Sequence, residues 1–214
     1  MYAEDIIPLF PLGLVLLPEV PLPLHIFEER YKIMVQECLE TDQPFGIVYY
    51  DGSQMKNAGC TARIVEVLKR YASGRMDILV QGERRFEGVE VFHDKVYLQA
   101  KVEYFDDEAE DYAPEMEEIS EKAYHLLKEL VKLSRRQELP LPETVLEPKI
   151  LSFLIAGSYG FSSPEKQEFL EMKSTTARLE REVKSLEKII ERIKLSQEIE
   201  KIVKGNGHLP QLMK

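Results

Sequence analysis

Five prolines punctuate the apolar run at residues 7–35, IPLFPLGLVLLPEVPLPLHIFEERYKIMV, and they restrict the fold more than any other feature of the chain. Proline has no backbone donor and a fixed φ, so this stretch is neither a helix nor a central strand throughout. It reads as short extended pieces turning corners against a core. It then enters an aromatic and charged cluster, His25-Ile26-Phe27-Glu28-Glu29-Arg30-Tyr31. Tyr31, Met34/Val35 and Cys38/Leu39 follow at three-to-four spacing, which is one face of a helix. In this corner Phe27 and Tyr31 are expected to pack inward. Arg30 is expected to anchor to carboxylates such as Glu28, and His25 to be a satisfied structural residue.

Residues 1–105 otherwise read as strands. Pro44–Tyr50 ends at the turn Asp51-Gly52-Ser53, residues 60–69 and 76–80 flank Ala72-Ser73-Gly74, and 84–92 forms another strand. Val96, Leu98, Ala100, Val102 and Tyr104 alternate with Tyr97, Gln99, Lys101 and Glu103, the pattern of a half-buried strand. Short strands with one early helix predict a small β-barrel or closed sheet. Residues 106–118 then carry eight acids and no Lys or Arg, and 106–113 reads as a solvated linker. The remainder, 114–214, reads as helical. Two helices, from about 114 to 137 and from 148 to 156, are separated by the proline-containing segment 139–144. Ser162-Ser163-Pro164-Glu165 marks a helix start with a capping box, and the final helix is expected to run on to about Lys204 before Gly205-Asn206-Gly207. Along it Met172, Thr176, Leu179, Val183, Leu186, Ile190 and Ile193 form a heptad seam, which packs within the chain or against a second copy. The fold class is therefore α+β, a small barrel with one inserted helix followed by a helical bundle that ends in a long helix.

The chemistry is narrowed mainly by what is missing. A net charge of −10 disfavours nucleic acid as the main partner, since phosphate contacts need a basic surface. No apolar run reaches membrane-spanning length, so the expected location is the cytoplasm. Cys38 and Cys60 form no CxxC pair and read as buried thiols. None of the eleven glycines precedes a lysine, which excludes a P-loop. The four histidines lack metal-ligand spacing, and Gly157-Ser158-Tyr159-Gly160 is too short for a nucleophile elbow. No catalytic residue, metal or cofactor is expected.

The corner also carries a resemblance. Pro8-Leu9-Phe10-Pro11-Leu12, Val15-Leu16-Leu17-Pro18 and Leu22 to Phe27 with Glu28, Arg30 and Tyr31 resemble the opening of the Lon N-terminal, substrate-binding domain. Phe45 to Val48, Gly59 to Ala62, and Gly82 with Arg85-Phe86 are similar to its later strand signatures. Lys166-Gln167, Leu170-Glu171 and Arg178 to Glu180 resemble its helices. The resemblance implies a PUA-like barrel. It also implies a standalone protein of the kind found in bacteria beside true Lon, without the ATPase and Ser–Lys peptidase regions. Its expected function is non-enzymatic binding of unfolded or misfolded protein segments, as an adaptor or competitor in proteolysis, with Lon itself a candidate partner. The alternatives are a PUA-like small-molecule or nucleic-acid binder, or a regulatory subunit that dimerises through the last helix. Accessible aromatics and methionines beside turns suit promiscuous contacts, which nominates Tyr50 and Met55 at one turn and Tyr71 and Met76 at another.

Overall fold

The computed structural model describes residues 6–110, 114–134 and 144–205. Residues 111–113 at the end of the expected linker, most of the proline-containing segment 139–144 and the expected stop at Asn206-Gly207 lie outside the described residues. The strands are β1 (Ile6–Leu12), β2 (Pro21–Ile26), β3 (Phe45–Tyr50), β4 (Met55–Arg70), β5 (Met76–Phe92) and β6 (Gln99–Phe105). The helices are α1 (Glu29–Thr41), α2 (Pro114–Ser134), α3 (Pro148–Gly157), α4 (Ser163–Glu171) and α5 (Thr175–Gly205). This is an α+β fold with one six-stranded sheet of order β2-β5-β4-β3-β1-β6, in which β5 also pairs with β6. The pairings thus run from β5 through β4, β3, β1 and β6 and return to β5, with β2 added outside.

The prolines fit because β1 changes partner midway. Ile6 to Pro8 pair with β6, and Leu9 to Leu12 pair with β3, so neither Pro8 nor Pro11 is paired on both sides. In β2, Pro21 and Pro23 alternate on the strand that ends the sheet, where a missing N–H goes unnoticed. The expected breaks at 80–84 are absent. β4 and β5 form one long hairpin bent by register shifts at 60–62, 64–66 and 67–69. The expected inward face also shifts before β6, where Val96 is exposed and Tyr97 is buried. Tyr97 donates its hydroxyl to Glu37 at 2.6 Å and accepts from Lys95 at 2.9 Å, which ties it to α1.

The compact units are not consecutive halves of the chain. One comprises Met1–Glu110 with Ser152–Thr175, the other Asp111–Leu151 with Thr176–Lys214. Arg85 supplies the physical reason that 152–175 joins the strands. Its buried guanidinium donates to the carbonyls of Leu170 (2.9 Å) and Met172 (2.6 Å) and pairs with Asp107. Phe105 and Phe153 flank it at 4.6 and 5.1 Å. Asp107 also accepts from Thr175 at 2.5 Å, so this part of the acidic stretch is a buried structural element. The same contacts end the helix that starts at Ser162. The capping box of Ser162 and Glu165 is present, but the carbonyls at 170 and 172 turn to Arg85 and that of Lys173 accepts from Glu108 N. The expected single helix is therefore α4 and α5.

In the second unit Met116, Ala123, Tyr124, Leu127 and Leu130 of α2 are buried, as are Leu179, Val183, Leu186 and Ile190 of α5. Lys122–Glu187 and Lys194–Glu129 ion pairs join the two helices at 2.8 and 2.6 Å. Past Ile193 the seam ends, and Leu195, Ile199 and Ile202 are exposed.

Glu182 is fully buried, and neither carboxylate oxygen has a hydrogen-bond partner among the described residues. Burial pushes its pKa well above the usual 4.5, with the charge of Arg178 pulling the other way. An acid whose folded pKa is raised gives its full share of stability below the unfolded value and loses it as pH rises towards the folded one. Wild-type melting temperature should therefore fall more steeply than that of Glu182→Leu from about pH 4.5 upward. Parallel curves, or a variant less stable at every pH, would instead mean that Glu182 is ionised and paired.

Candidate functional site

The tip of the β4–β5 hairpin is a three-residue loop, 72–74. Tyr71 N donates to Arg75 O at 3.0 Å, Gly74 N donates to Tyr71 O at 2.9 Å, and Gly74 takes a φ of 77°. A left-handed glycine at the end of such a loop is what a hairpin of this length requires. The loop sets Tyr71 between two cations, with Lys69 Nζ 4.7 Å and Arg75 Cζ 5.2 Å from its ring centre. Its hydroxyl donates to Asp77 at 2.7 Å.

Asp77 is the hub of the cluster. Strand register places it opposite His25 of β2, and His25 Nδ1 lies 2.5 Å from its other oxygen. The bond from His25, and then that from Tyr71, hold the Asp77 carboxyl below its usual range. The His25 ring in turn stacks on Phe27, with centroids 5.9 Å apart and planes 22° from parallel. Phe27 is 59% exposed, which corrects the expectation that it packs inward. The inward aromatic is Tyr31, whose ring lies 4.1 Å from Phe10 and whose phenol is pushed up by burial. Arg30 pairs with Glu28 at 2.8 Å and lies over Tyr31. The motif thus splits at the start of α1 into a core half and a surface half.

Beside this cluster an open groove of about 370 Å³ runs between α1 and the hairpin tip, lined by Lys32, Ile33, Gln36, Glu37, Arg70 and Met76 with Gly74. Lys32 closes one end by donating to Ser73 O at 3.1 Å. Arg70 reaches across to Gln36 and lies 3.4 Å from the sulfur of Met76. Met76 is only 4% exposed and forms the floor under Arg70, so it is not an accessible methionine. Ile33 on the wall is exposed.

The other nominated turn lies apart. Tyr50 pairs with Met55 at the start of β4, whereas Tyr71 follows its end. Tyr50 is exposed and donates to Gly52 O at 2.9 Å, while Met55 is half-buried against the core cluster of Ile7, Leu9 and Phe86. Asp51 accepts from the Ser53 hydroxyl, and then from Gln54 N and Ser53 N, and these bonds bring it down to about 2. The structure therefore joins Tyr71 to His25 and Phe27 and does not join it to Tyr50. Asp77 and Ile33 escaped the sequence reading. A strand aspartate opposite a histidine is visible only once the register is known.

Residues 6–188 match the family profile of the ATP-dependent protease La (LON) substrate-binding domain. The chain belongs to the Lon substrate-binding domain family. It is 29% identical to Lon protease 2 of Myxococcus xanthus over 94% of its own length and 26% of that protein. It is 28% identical to the Lon protease of Anaeromyxobacter dehalogenans, again over 94% of this chain and 26% of the relative. It thus spans about a quarter of the length of the curated relatives it matches. The crystal structure of a Lon N-terminal domain protein from Xanthomonas campestris superposes with a TM-score of 0.66 at 23% identity, covering 83% of this chain and 96% of that one. The N-terminal domain of the Mycobacterium avium complex Lon protease gives 0.65 at 16% identity, over 86% and 98%. Both likenesses are of fold. Among the described residues of this Lon-family domain, no helix is long and apolar enough to cross a membrane.

Proposed function

We propose that the chain is a non-enzymatic module that holds unfolded or misfolded protein segments, acting in the cytoplasm as an adaptor to a Lon protease or a competitor for its clients. The closed circuit of strand pairings is read as a small PUA-like barrel that carries the contact surface, with the second unit a helical bundle. The carrying observation is Phe27, a large aromatic left exposed beside the buried Ile26 and Tyr31 and stacked on His25, which Asp77 and Tyr71 hold. Tyr71, Phe27 and Ile33 supply apolar contact, and the buried Met76 supports the groove floor. An aromatic fixed by its neighbours loses little entropy on binding and so suits varied partners. Tyr50 and Met55 form a second contact candidate at the far end of β4. Self-association is a separate reading, favoured by the exposed Leu195, Ile199 and Ile202 at heptad spacing on α5.

Phe27→Ser tests the surface. Stability should change by no more than about 0.5 kcal/mol, as for an exposed side chain. Capture of a permanently unfolded protein such as reduced, carboxymethylated lactalbumin should fall several-fold in a fluorescence-anisotropy titration. Unchanged capture would reject this surface, and an equal loss on replacing Tyr50 and Met55 would move it to the other turn.

A further inference from the structure

On a chain of net charge −10, residues 69–77 carry Lys69, Arg70 and Arg75 against the single carboxylate of Asp77. All three cations are exposed, and among the described residues none of them forms an ion pair. Asp77 is taken up by His25 and Tyr71. Lys69 and Arg75 flank the Tyr71 ring, and Arg70 donates only to Gln36 and to the Met76 sulfur. Nearby charges on α1 are locally cancelled, Arg30 by Glu28 and Lys32 by Glu29. Glu37, which lines the groove, is held by Lys95 and Tyr97. Glu40, which accepts from Gln36 at 2.8 Å, is the other carboxylate on this face, so Lys69, Arg70 and Arg75 outnumber Asp77 and Glu40 and the balance stays positive beside the exposed Phe27 and Ile33.

We propose that this surface selects extended polypeptide segments in which an apolar side chain is followed closely by carboxylates. The proposal rests on the reading of the corner as a peptide-contact surface, and it names the client class. The apolar side chain lies against Phe27 and Ile33 while the carboxylates meet Lys69, Arg70 and Arg75. Recognition runs through side chains, because Pro21 and Pro23 remove donors from the outer strand β2 that an added strand would need. A long polyanion fits this surface less well. It would extend past three cations onto an acidic surface, whereas one or two carboxylates sense only the charge within a Debye length of about 10 Å.

The test uses the full chain and four labelled peptides: one Phe/Leu core flanked by Glu, by Lys or by Ser, and a Glu-flanked peptide whose core is Ser. At low salt the Glu-flanked apolar peptide should bind about ten-fold tighter than the Lys-flanked one, the sum of three exposed charge contacts. The gap should close in 0.5 M salt. Lys69→Glu combined with Arg75→Glu should reverse the order of the Glu- and Lys-flanked peptides, each read as a ratio to the Ser-flanked one, and Phe27→Ser should weaken all three apolar peptides. If all three bind equally to the wild type yet weaken with Phe27→Ser, the charge selection is overturned and the contact surface stands. If none binds, or Phe27→Ser changes nothing, the contact surface itself fails. Tighter binding of the Ser-core Glu peptide, or of a single-stranded oligonucleotide, would overturn the proposal in favour of a general anion site.

Discussion

Asp107→Ala is expected to lower the stability of the chain by about 3–5 kcal/mol, because it leaves the guanidinium of Arg85 charged, buried and without the buried carboxylate that pairs with it. The pair lies in the middle of three segments distant in sequence. Arg85 belongs to β5, Asp107 follows β6, and the carbonyls of Leu170 and Met172 lie at the end of α4. Asp106 is at 3.5 Å but largely exposed, so it replaces little of the loss. Replacing both members with apolar residues, Arg85→Met with Asp107→Leu, should restore part of the stability, since removing both charges removes the desolvation penalty. It should not restore all of it, because the carbonyls at 170 and 172 lose their donor. Denaturant melts of the two single variants and the double variant check this. A loss below about 1 kcal/mol for Asp107→Ala would mean that water or Asp106 already serves Arg85.

This cluster also shows where sequence reading stops. The α+β class, the strands and the capping box follow from periodicity and turn chemistry, which are local. Phe27 reads as inward because an aromatic in an apolar corner usually is, and spacing alone does not say that the chain turns between Phe27 and Tyr31. The acidic run at 106–110 reads as solvated because its neighbours in sequence are acidic. Its buried member finds its cation 22 residues earlier. Likewise, Ser162 announces a helix, but nothing local announces its end at Glu171, which is imposed by Arg85 from β5. The surface cluster has the same character. Tyr71 was legible as a turn aromatic, whereas its link through Asp77 to His25 and Phe27 depends on the register of β2 against β5.

Gly82→Ala should cost about 3 kcal/mol or more, although it adds only one methyl group. Gly82 lies on β5 where the segment after β1 crosses it. A Cβ built there would sit 2.1 Å from the carbonyl oxygen of Leu17 and 2.8 Å from its carbon. Backbone atoms of this kind do not yield as the end of a side chain does. The crossing is also held on both sides, since Glu19 N donates to Gly82 O at 2.8 Å and Gly82 N donates to Val20 O at 3.1 Å. Glu19 already adopts a left-handed φ of 62° to make this contact, which leaves the loop little room to retreat. Leu17 itself is 1% exposed, so moving its backbone outward would also open the core beneath it. Relief therefore requires breaking the two hydrogen bonds or shifting β5 against β4, and either route disturbs a central pairing. Gly88→Ala serves as the control, because its new methyl would meet the side-chain oxygen of the exposed Asn57 at 3.2 Å and the Asn57 carbonyl oxygen only at an ordinary contact distance of 3.7 Å. The two variants should separate clearly in urea midpoint at equal cooperativity. If Gly82→Ala melts with the wild type, the 17–20 segment does not cross β5 as closely as the structure places it.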